Sequence, residues 1–528
     1  MADELAITNA RIWTADPARP WARCLTVRDG VITSIDDEPR AESARRRLDA
    51  RGRAMTPGLI DTHVHLLMAG ESLGQLDLSG VRSRRQFEQA LARRHAAMLE
   101  SEQADGVPHG TRWLRAHGWS QENWGGALPD KSWLAAAGDR PVVAYRMDSH
   151  VCLVNSAVLS RCDVSRDPEG GRIQRDARGE PTGLMLEAAA WQLVNPVIPP
   201  LSATEKQAAL LAAMHHAHAL GLTTVGSMEY QREIEAAYLP QRDHLTLRVR
   251  LTLLDRDWPL DFTFGESFAH DDRLAVIGYK SFVDGTLGSR TARMLEAYDD
   301  APDHRGLWCE LAASGDLDAW VREVARRRFQ PSMHAIGDAA ARRALDAVEA
   351  AGAPTATAAV RPRIEHAQTL HVHDVPRFAR LGVIASMQPL HKADDGRYAR
   401  RRLGEARMVG FFAFRQLRRA GARLAFGSDW PIVTCDPVAG IRAAVTGLTL
   451  DETPVRTEEN LTIDEALRAY TIDAAAALRF EDRIGSIEVN KLADLTMFDH
   501  DPFTADWMKQ PPRVAMTVVG GRVLHEVA

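Results

Sequence analysis

Cysteine is scarce in this chain of 528 residues. The five cysteines are scattered and form no CxxC pair; they stand at Cys24, Cys152, Cys162, Cys309 and Cys435. This odd and dispersed set predicts neither a disulfide framework nor a cysteine-based zinc module. It is typical of a reducing compartment, and we therefore expect a cytoplasmic protein.

Long apolar runs and an excess of positive charge are also missing. No uninterrupted apolar stretch reaches the roughly 18 residues of a transmembrane helix, and the start, MADELAIT, lacks the features of a secretion signal. The formal net charge is −6, and the arginine clusters at 44–53 and 397–402 predict solvated faces. We expect a soluble protein that binds a small molecule, without nucleic acid or membrane. The oligomeric state stays open, with a homodimer as one alternative.

Short segments rich in β-branched residues occur at both ends of the chain. LAITNARIWTAD and CLTVRDGVITSIDD lie near the start, and ADLTMFDHDP and VAMTVVGGRVLHEV lie near the end. Asp29-Gly30 and Gly520-Gly521 stand at the expected turns. Because chain ends often lie close together, the two groups predict one composite β-sandwich domain, formed by residues 1–58 and 484–528.

Eight strand candidates recur between these ends, and most are followed by a helical pattern. They are LIDTHVH, LTTVGSMEY, LRVRLTLLD, AVIGYKSFVDG, PSMHAIGD, RIEHAQ, VIASMQP and RLAFGSD. Strands that alternate with helices predict an α/β fold, and eight of them indicate a (β/α)8 TIM barrel over residues 59–75 and 216–483. The long gap after the first strand predicts an inserted domain, residues 76–215, that we expect to act as a lid.

His63 and His65 stand one residue apart in PGLIDTHVH. On a strand, alternate side chains share a face, so both imidazoles point the same way and offer a chelate for a divalent metal. This short motif alone is more often incidental. His334, His366 and Asp429 follow the fifth, sixth and eighth strand candidates, and the five side chains together predict a metal site of nitrogen and oxygen ligands, with zinc expected.

Several longer motifs resemble the amidohydrolase superfamily, within its amidohydrolase family 3, and in particular YtcJ-like hydrolases and N-substituted formamide deformylases. The resemblance extends over most of the chain and is carried by PGLIDTHVH, HVCLVNSAVL, GGRIQRDARGEPTGLMLEAA, YKSFVDGTLGSRTA, HAIGDAA, IEHAQ, SMQPLH, FGSDWPI, ENLTIDEALRAYTIDAA and IGSIEVNKLADLTMFDHDPF. It implies a metal-dependent hydrolase whose barrel carries one or two divalent ions.

The resemblance also implies roles for the ligands. His63 and His65 would hold one metal with Asp429, and His334 and His366 would hold a second or complete the first. Lys280 would bridge two metals as a carboxylated lysine, and the alternative is a lysine paired with Asp284 or another carboxylate. Asp429 would move the proton between water and leaving group, and His366 or His334 would polarise the carbonyl if only one metal is present.

Four further residues lie in motifs that this family shares, namely His150, Arg290, Gln388 and His391. We expect substrate contacts from them, with surface or packing roles as an equal alternative. One departure concerns the second strand, where relatives place an acidic residue or a histidine and this chain has Gly226, Ser227 and Met228. Glu229 is the nearest substitute, in a shifted register.

The expected reaction is hydrolysis of a C–N bond, namely the amide of an N-acyl or N-formyl amine, by metal-activated water. Two alternatives remain at this stage. The same centre would suit a cyclic amidase or an aminohydrolase of a heterocycle, because one barrel supports several chemistries through its loops. The second alternative is a metal-binding regulatory protein without catalysis.

Overall fold

The computed structural model describes residues 4–37, 44–147, 149, 151–168, 171–353, 357 and 359–527. The chain divides into two compact units, of which one comprises Met1–Leu66 and Ala213–Ala528 and the other Leu67–Ala212. The helices Leu66–Leu73 and Ala203–Ala219 carry the chain across these two divisions. The domain boundaries expected from the sequence stay a prediction.

Two β-sheets in the first unit are built from strands near the ends of the chain. The four-stranded sheet has the order Val31–Ile35, Leu25–Arg28, Glu4–Thr8, Arg46–Asp49. The six-stranded sheet has the order Arg522–Glu526, Val514–Val519, Leu495–Phe498, Ala54–Pro57, Arg11–Trp13, Trp21–Ala22. Their apolar side chains form one core, in which Ile7 and Val27 of the first sheet join Met55, Leu495 and Val518 of the second. Both termini therefore contribute to one β-sandwich.

The same unit contains eight parallel strands in sequence order, and the predicted barrel is confirmed. The strands are Leu59–Val64, Leu222–Glu229, Arg248–Leu253, Leu274–Phe282, Gln330–Ala335, Arg363–His366, Ile384–Met387 and Leu424–Phe426. The first and last strands meet at their carboxyl ends, where the Asp429 N–H donates to the His63 carbonyl at 2.7 Å and the His65 N–H donates to the Trp430 carbonyl at 2.8 Å.

Helices follow most of the barrel strands. The α-helices after the second strand are Gln231–Glu233, Thr263–Ser267, Glu310–Ser314, Leu317–Arg326, Asp338–Ala350, Val375–Leu381, Pro389–Asp395, Ala399–Arg407, Phe414–Arg419, Pro437–Thr446, Ile463–Ala469 and Ile472–Ala477. Ile463–Ala469 begins with a capping box, in which Thr462 and Glu465 satisfy each other's backbone N–H groups. Among the helices of the described residues, none is long and apolar enough to cross a membrane.

The second unit is built on a mixed six-stranded sheet. Its order is Gly171–Arg175, Pro181–Glu187, Val151–Val154, Val142–Arg146, Leu114–Trp119, Leu76–Asp77. The α-helices of this unit include Arg84–Ala104, which Ser83 caps, and the short Ser156–Leu159. Trp119, Trp133 and Phe87 are buried together in its core, which gives these two tryptophans a packing role.

A buried ion pair joins the helix Arg84–Ala104 to the segment just before the strand Val142–Arg146. Both guanidinium Nη atoms of Arg140 lie 2.8 Å from the carboxylate of Glu102, and neither side chain is exposed. Glu102 also accepts from the backbone N–H groups of Gly110 and Arg112. The hydrogen bonds from Arg140 lower the pKa of Glu102 to about 2, from an ordinary value of 4.5. This contribution to stability is present above pH 4.5 and is lost as the pH falls through about 2.

We expect Glu102→Gln to lower the free energy of unfolding by about 3 kcal/mol at pH 7, because Arg140 is left as a buried charge without its partner. Urea titration followed by circular dichroism measures the loss. The deficit against the wild type should narrow as the pH is lowered from 4.5 toward 2. Glu88→Gln is the control, since the exposed pair of Glu88 and Arg84 on the same helix contributes no more than about 0.5 kcal/mol. Equal stability of the two variants would contradict this account.

Candidate metal centre

The predicted ligands stand at the carboxyl ends of the barrel strands. His63 is the last but one residue of the first strand, and His65 directly follows that strand. His334 lies near the end of the fifth strand and His366 ends the sixth. Asp429 follows the eighth strand. Parallel strands in a closed sheet bring these ends to one rim, so residues distant in the sequence converge there.

Three of these residues form a compact cluster. His63, His366 and Asp429 each offer one ligand atom, and these atoms all lie within 4.8 Å of one another. His63 and His366 are buried, and Asp429 is 8% exposed. The Nε2 atom of His63 lies 3.4 Å from Oδ1 of Asp429. Two imidazoles and a carboxylate are a donor set that suits zinc and similar divalent cations.

The other predicted ligands border this cluster. His65 Nε2 lies 3.4 Å from Asp429 Oδ1, so both histidines of the HxH pair face the same carboxylate oxygen. The ring centroids of His334 and His366 are 4.3 Å apart, and Nε2 of His334 donates to the carbonyl of Gly285 at 3.1 Å. The Nζ atom of Lys280 lies 3.4 Å from His63 Nε2. All six sequence-predicted ligands therefore meet at one rim of the barrel.

Backbone conformation turns two of the ligands toward the cluster. His366 has φ of 74° and Asp429 has φ of 64°, in the left-handed region that residues other than glycine seldom adopt. Such conformations cost of order 1–3 kcal/mol and persist where the surroundings hold them. Here the sixth and eighth strands end at this point, so each side chain leaves the strict alternation of the strand.

Glu365 is a residue that the sequence interpretation missed. Its Oε2 accepts the Nδ1–H of His63 at 2.8 Å, and neither residue is exposed. This contact leaves the Nε2 lone pair of His63 free to face Asp429 and Lys280, and it is the arrangement by which a carboxylate orients a metal-binding imidazole. The signal was present in IEHAQ, where an acid directly precedes His366, and in the spacing of Arg363 and Glu365, which share a strand face.

Arg363 completes this buried chain of contacts. Its Nε lies 2.8 Å from Oε1 of Glu365, and its Nη2 donates to Oε2 of the same carboxylate at 3.0 Å and to the carbonyl of Thr62 at 2.8 Å. Burial alone would raise the pKa of Glu365, but Arg363 and His63 outweigh it and hold the pKa well below its ordinary value. Glu365 is thus an anion that holds the His63 ring through Nδ1, the nitrogen that does not face Asp429.

The electrostatics of the cluster favour neutral imidazoles and an ionised carboxylate. Burial and the nearby Lys280 lower the pKa of His63 to about 4 and that of His334 to about 3. Burial would raise the pKa of Asp429, but the histidines around it hold the pKa well below its ordinary value. Burial lowers the pKa of Lys280 to about 8, against the opposing effect of Glu365 and Asp429. Neutral imidazole and carboxylate are the forms that bind metals.

Asp284 was considered above as a possible partner of Lys280, but other groups occupy its carboxylate. Its carboxylate accepts from the backbone N–H groups of Arg293, Ile336 and Gly337 at 2.7, 3.0 and 2.8 Å. This buried carboxylate therefore joins the loop after the fourth strand to the loop after the fifth. Lys280 instead lies beside His63, with its ammonium 5.1 Å from the ring centroid of Phe282.

The predicted substrate-contact residues have different surroundings. Gln388 is wholly buried, with Nε2 3.5 Å from His63 Nδ1, and the ring of His391 stacks on His366 at 5.8 Å. Arg290 instead forms a two-pronged ion pair with Asp300, at 3.0 and 2.9 Å. His150 lies outside the described residues.

Glu229 ends the second strand and is buried. It accepts from Ser227 Oγ at 2.7 Å and from Tyr238 Oη at 2.5 Å. Ser227 Oγ in turn accepts from the backbone N–H of Leu66. Glu229 therefore orients Ser227, and Ser227 holds the backbone just after the HxH pair. Both residues stand where the sequence departs from the family pattern.

An unsatisfied atom supports the fit of a metal ion to these residues. Nδ1 of His366 is buried and has no hydrogen-bond partner among the described residues. A buried imidazole nitrogen without a partner is costly, and a cation beside the Asp429 carboxylate would satisfy it. The residues present thus fit a divalent cation held by His63, His366 and Asp429, with His65, His334 and Lys280 at its border.

Known proteins resemble this chain over nearly its whole length. Protein LONG AFTER FAR-RED 3 of Arabidopsis thaliana is 32% identical, over 99% of this chain and 91% of the relative. The putative amidohydrolase YtcJ of Bacillus subtilis is 31% identical, over 95% of each chain. The N-substituted formamide deformylase of Arthrobacter pascens is 27% identical, over 94% of each chain.

The crystal structure of an uncharacterized metal-dependent hydrolase from Pyrococcus horikoshii matches with a TM-score of 0.77 and 26% identity, and the match covers 96% of this chain and 99% of that one. The model of the amidohydrolase family matches residues 46–525. The family expected from the motifs is thereby confirmed, and so is the hydrolase class. Since the family model spans most of the sequence, this chain belongs to the amidohydrolase family and is a metal-dependent hydrolase.

Proposed function

We propose that this hydrolase cleaves the amide bond of an N-acyl or N-formyl amine at the metal centre. The observation that carries the proposal is the convergence of ligand atoms from His63, His366 and Asp429 within 4.8 Å. The relative named N-substituted formamide deformylase, aligned over 94% of each chain, supports a linear amide as the substrate class. Cyclic amides and heterocyclic amines are the competing substrates for the same centre.

We infer zinc as the metal, because imidazole and carboxylate ligands in this number are its usual set. When bound, such a cation polarises a carbonyl oxygen and lowers the pKa of coordinated water to roughly 7. His63 and His366 supply nitrogen ligands, and Glu365 holds the His63 ring in the orientation that presents Nε2. A second cation would use His334 and Lys280, the latter as a carbamate.

Asp429 is proposed as the group that moves the proton. Its carboxylate lies beside Nε2 of both His63 and His65 at 3.4 Å, at the point where water and substrate would meet. It would accept a proton from the attacking water and deliver it to the departing nitrogen, which without that proton is a poor leaving group. Gln388 and His391 border the same space and would orient the substrate.

The function is tested by elemental analysis of the purified protein, followed by a panel of N-formyl amines, N-acyl amines, cyclic amides and aminated heterocycles. We expect bound zinc and preferred turnover of the linear amides. Removal of a residue that only orients a metal ligand typically weakens metal binding by roughly 10–100-fold. His63→Ala removes a ligand itself, so it should weaken metal binding by more than this, and activity should fall with it. His373→Ala, an exposed histidine outside the cluster, is the control. Preference for a cyclic amide or a heterocycle would replace the proposed substrate class.

We expect Asp429→Asn to keep most of the metal, since the amide oxygen remains a ligand, but to lower kcat by about 10²–10⁴-fold, because the amide cannot accept the proton. Metal content and kcat are measured on the same preparation. Asp436→Asn is the matched control, because this carboxylate caps the helix Pro437–Thr446 and asparagine caps equally well. An unchanged kcat in Asp429→Asn would place the base elsewhere.

A carbamate on Lys280 would form when the neutral amine attacks carbon dioxide, with formation of an N–C bond and release of one proton. Apo-protein should then regain activity with metal faster when bicarbonate is present, and Lys280→Ala should lose metal that a small carboxylic acid partly restores. Lys392→Ala is the control, since Lys392 is also buried but donates to the Arg456 carbonyl. One metal per chain with unmodified Lys280 would leave only the mononuclear centre.

A further inference from the structure

A cavity of about 450 Å³ lies on the barrel, away from the metal centre. Its wall includes Val276 and Ile277, the third and fourth residues of the fourth barrel strand, whereas Lys280 is the seventh. The cavity is therefore displaced toward the amino-terminal end of that strand. We call it the arginine cavity, because its charged and titratable lining residues are Arg250, Arg327, Arg328, Arg479, His270 and Glu266.

Negative charge in the lining is already neutralised. Glu266 is the only acid among the lining residues, and its Oε1 lies 2.7 Å from Nη1 of Arg327. Arg250, Arg328 and Arg479 have no carboxylate within ion-pair distance among the residues that the structure describes. Arg479 donates instead to the backbone carbonyl of Arg328 at 2.9 Å. Three guanidinium groups of the cavity thus lack a directly paired carboxylate among the described residues.

Arg250 is the most buried of the three. Its residue is only 9% exposed, and its Nε is buried without a hydrogen-bond partner in the described part of the chain. Its other contacts are a 3.4 Å hydrogen bond to the Asp271 carbonyl and a cation–π contact with Phe480, 4.3 Å from the ring centroid. Burial lowers the pKa of Arg250 to about 10. A buried cation without a directly paired anion destabilises the fold, and a bound anion would reduce this cost.

We propose that the arginine cavity binds the phosphoryl group of a small anion. The planar guanidinium offers paired N–H donors that match phosphate oxygens, and each such charge-assisted hydrogen bond is stronger than a neutral one. Arg250, Arg328 and Arg479 all line the cavity, and their guanidinium groups are the donors that would meet the anion. The volume exceeds that of one phosphate, so the site accommodates either the free ion or a phosphorylated metabolite.

The test uses the metal-loaded full chain and isothermal titration calorimetry with inorganic phosphate, pyrophosphate and AMP, at constant ionic strength set with chloride. We expect Arg250→Met to weaken the binding at least about tenfold, because one charge-assisted partner is lost. Arg479→Met should weaken it as well, and it serves as the second variant if Arg250→Met does not fold. Arg342→Met, which removes a guanidinium paired with Asp374 elsewhere on the barrel, should bind as the wild type does.

Phosphate is also a ligand for metal ions, so the metal centre is examined separately. His63→Ala should retain the anion affinity if the arginine cavity is the site. Loss of binding in His63→Ala with wild-type affinity in Arg250→Met would overturn the proposal, and so would the absence of binding by all three anions. Tighter binding of AMP or pyrophosphate than of phosphate would identify a phosphorylated metabolite as the ligand, and equal affinities would identify the free ion.

The melting temperature provides an independent readout. In anion-free buffer Arg250→Met should melt no lower than the wild type, because the substitution removes a buried charge that has no directly paired carboxylate among the described residues. Added phosphate should then raise the melting temperature of the wild type and leave that of Arg250→Met nearly unchanged. An equal rise in both proteins would show that the anion acts elsewhere.

Discussion

The hydrogen bond from Nδ1 of His63 to Glu365, 2.8 Å long and fully buried, is the contact on which the candidate metal centre depends. An imidazole has two nitrogens, and a partner on one of them decides which lone pair is free. Glu365 makes that choice for His63, and Arg363 neutralises Glu365 while it also holds the Thr62 carbonyl. Two buried charges are tolerated here because each is paired and hydrogen-bonded.

Closure of the barrel supplies the second constraint. The last strand meets the first through backbone hydrogen bonds at His63 and His65, so Asp429 lies beside both histidines although the eighth strand is far from them in the chain. The positive φ of His366 and Asp429 shows that the strand ends give up regular backbone geometry at this rim. The regular strands make the barrel rigid, and the irregular backbone at their carboxyl ends lets side chains from several strands converge on one point.

Much of the fold was predictable because its strands carry local signals. Each of the eight predicted segments overlaps a barrel strand, and the Asp29-Gly30 and Gly520-Gly521 turns connect antiparallel pairs. The sequence did not show that Asp284 would not pair with Lys280, since its carboxylate is occupied by three backbone N–H groups from two different loops. The ion pair of Arg290 with Asp300 likewise depends on how a long loop returns to itself, which composition and spacing do not encode.

The sequence by itself determined the parallel barrel, the contribution of both termini to a β-sandwich, and the types of ligand at the strand ends. Strand periodicity, turn residues and the HxH spacing are local properties, and they are readable without coordinates. Only the tertiary structure decided that Glu365 orients His63, that Glu229 supports the HxH pair through Ser227, and that Nε of Arg250 has no hydrogen-bond partner among the described residues. Each of these depends on the distance between atoms from different segments, and at such distances a shift of one ångström makes or breaks a hydrogen bond.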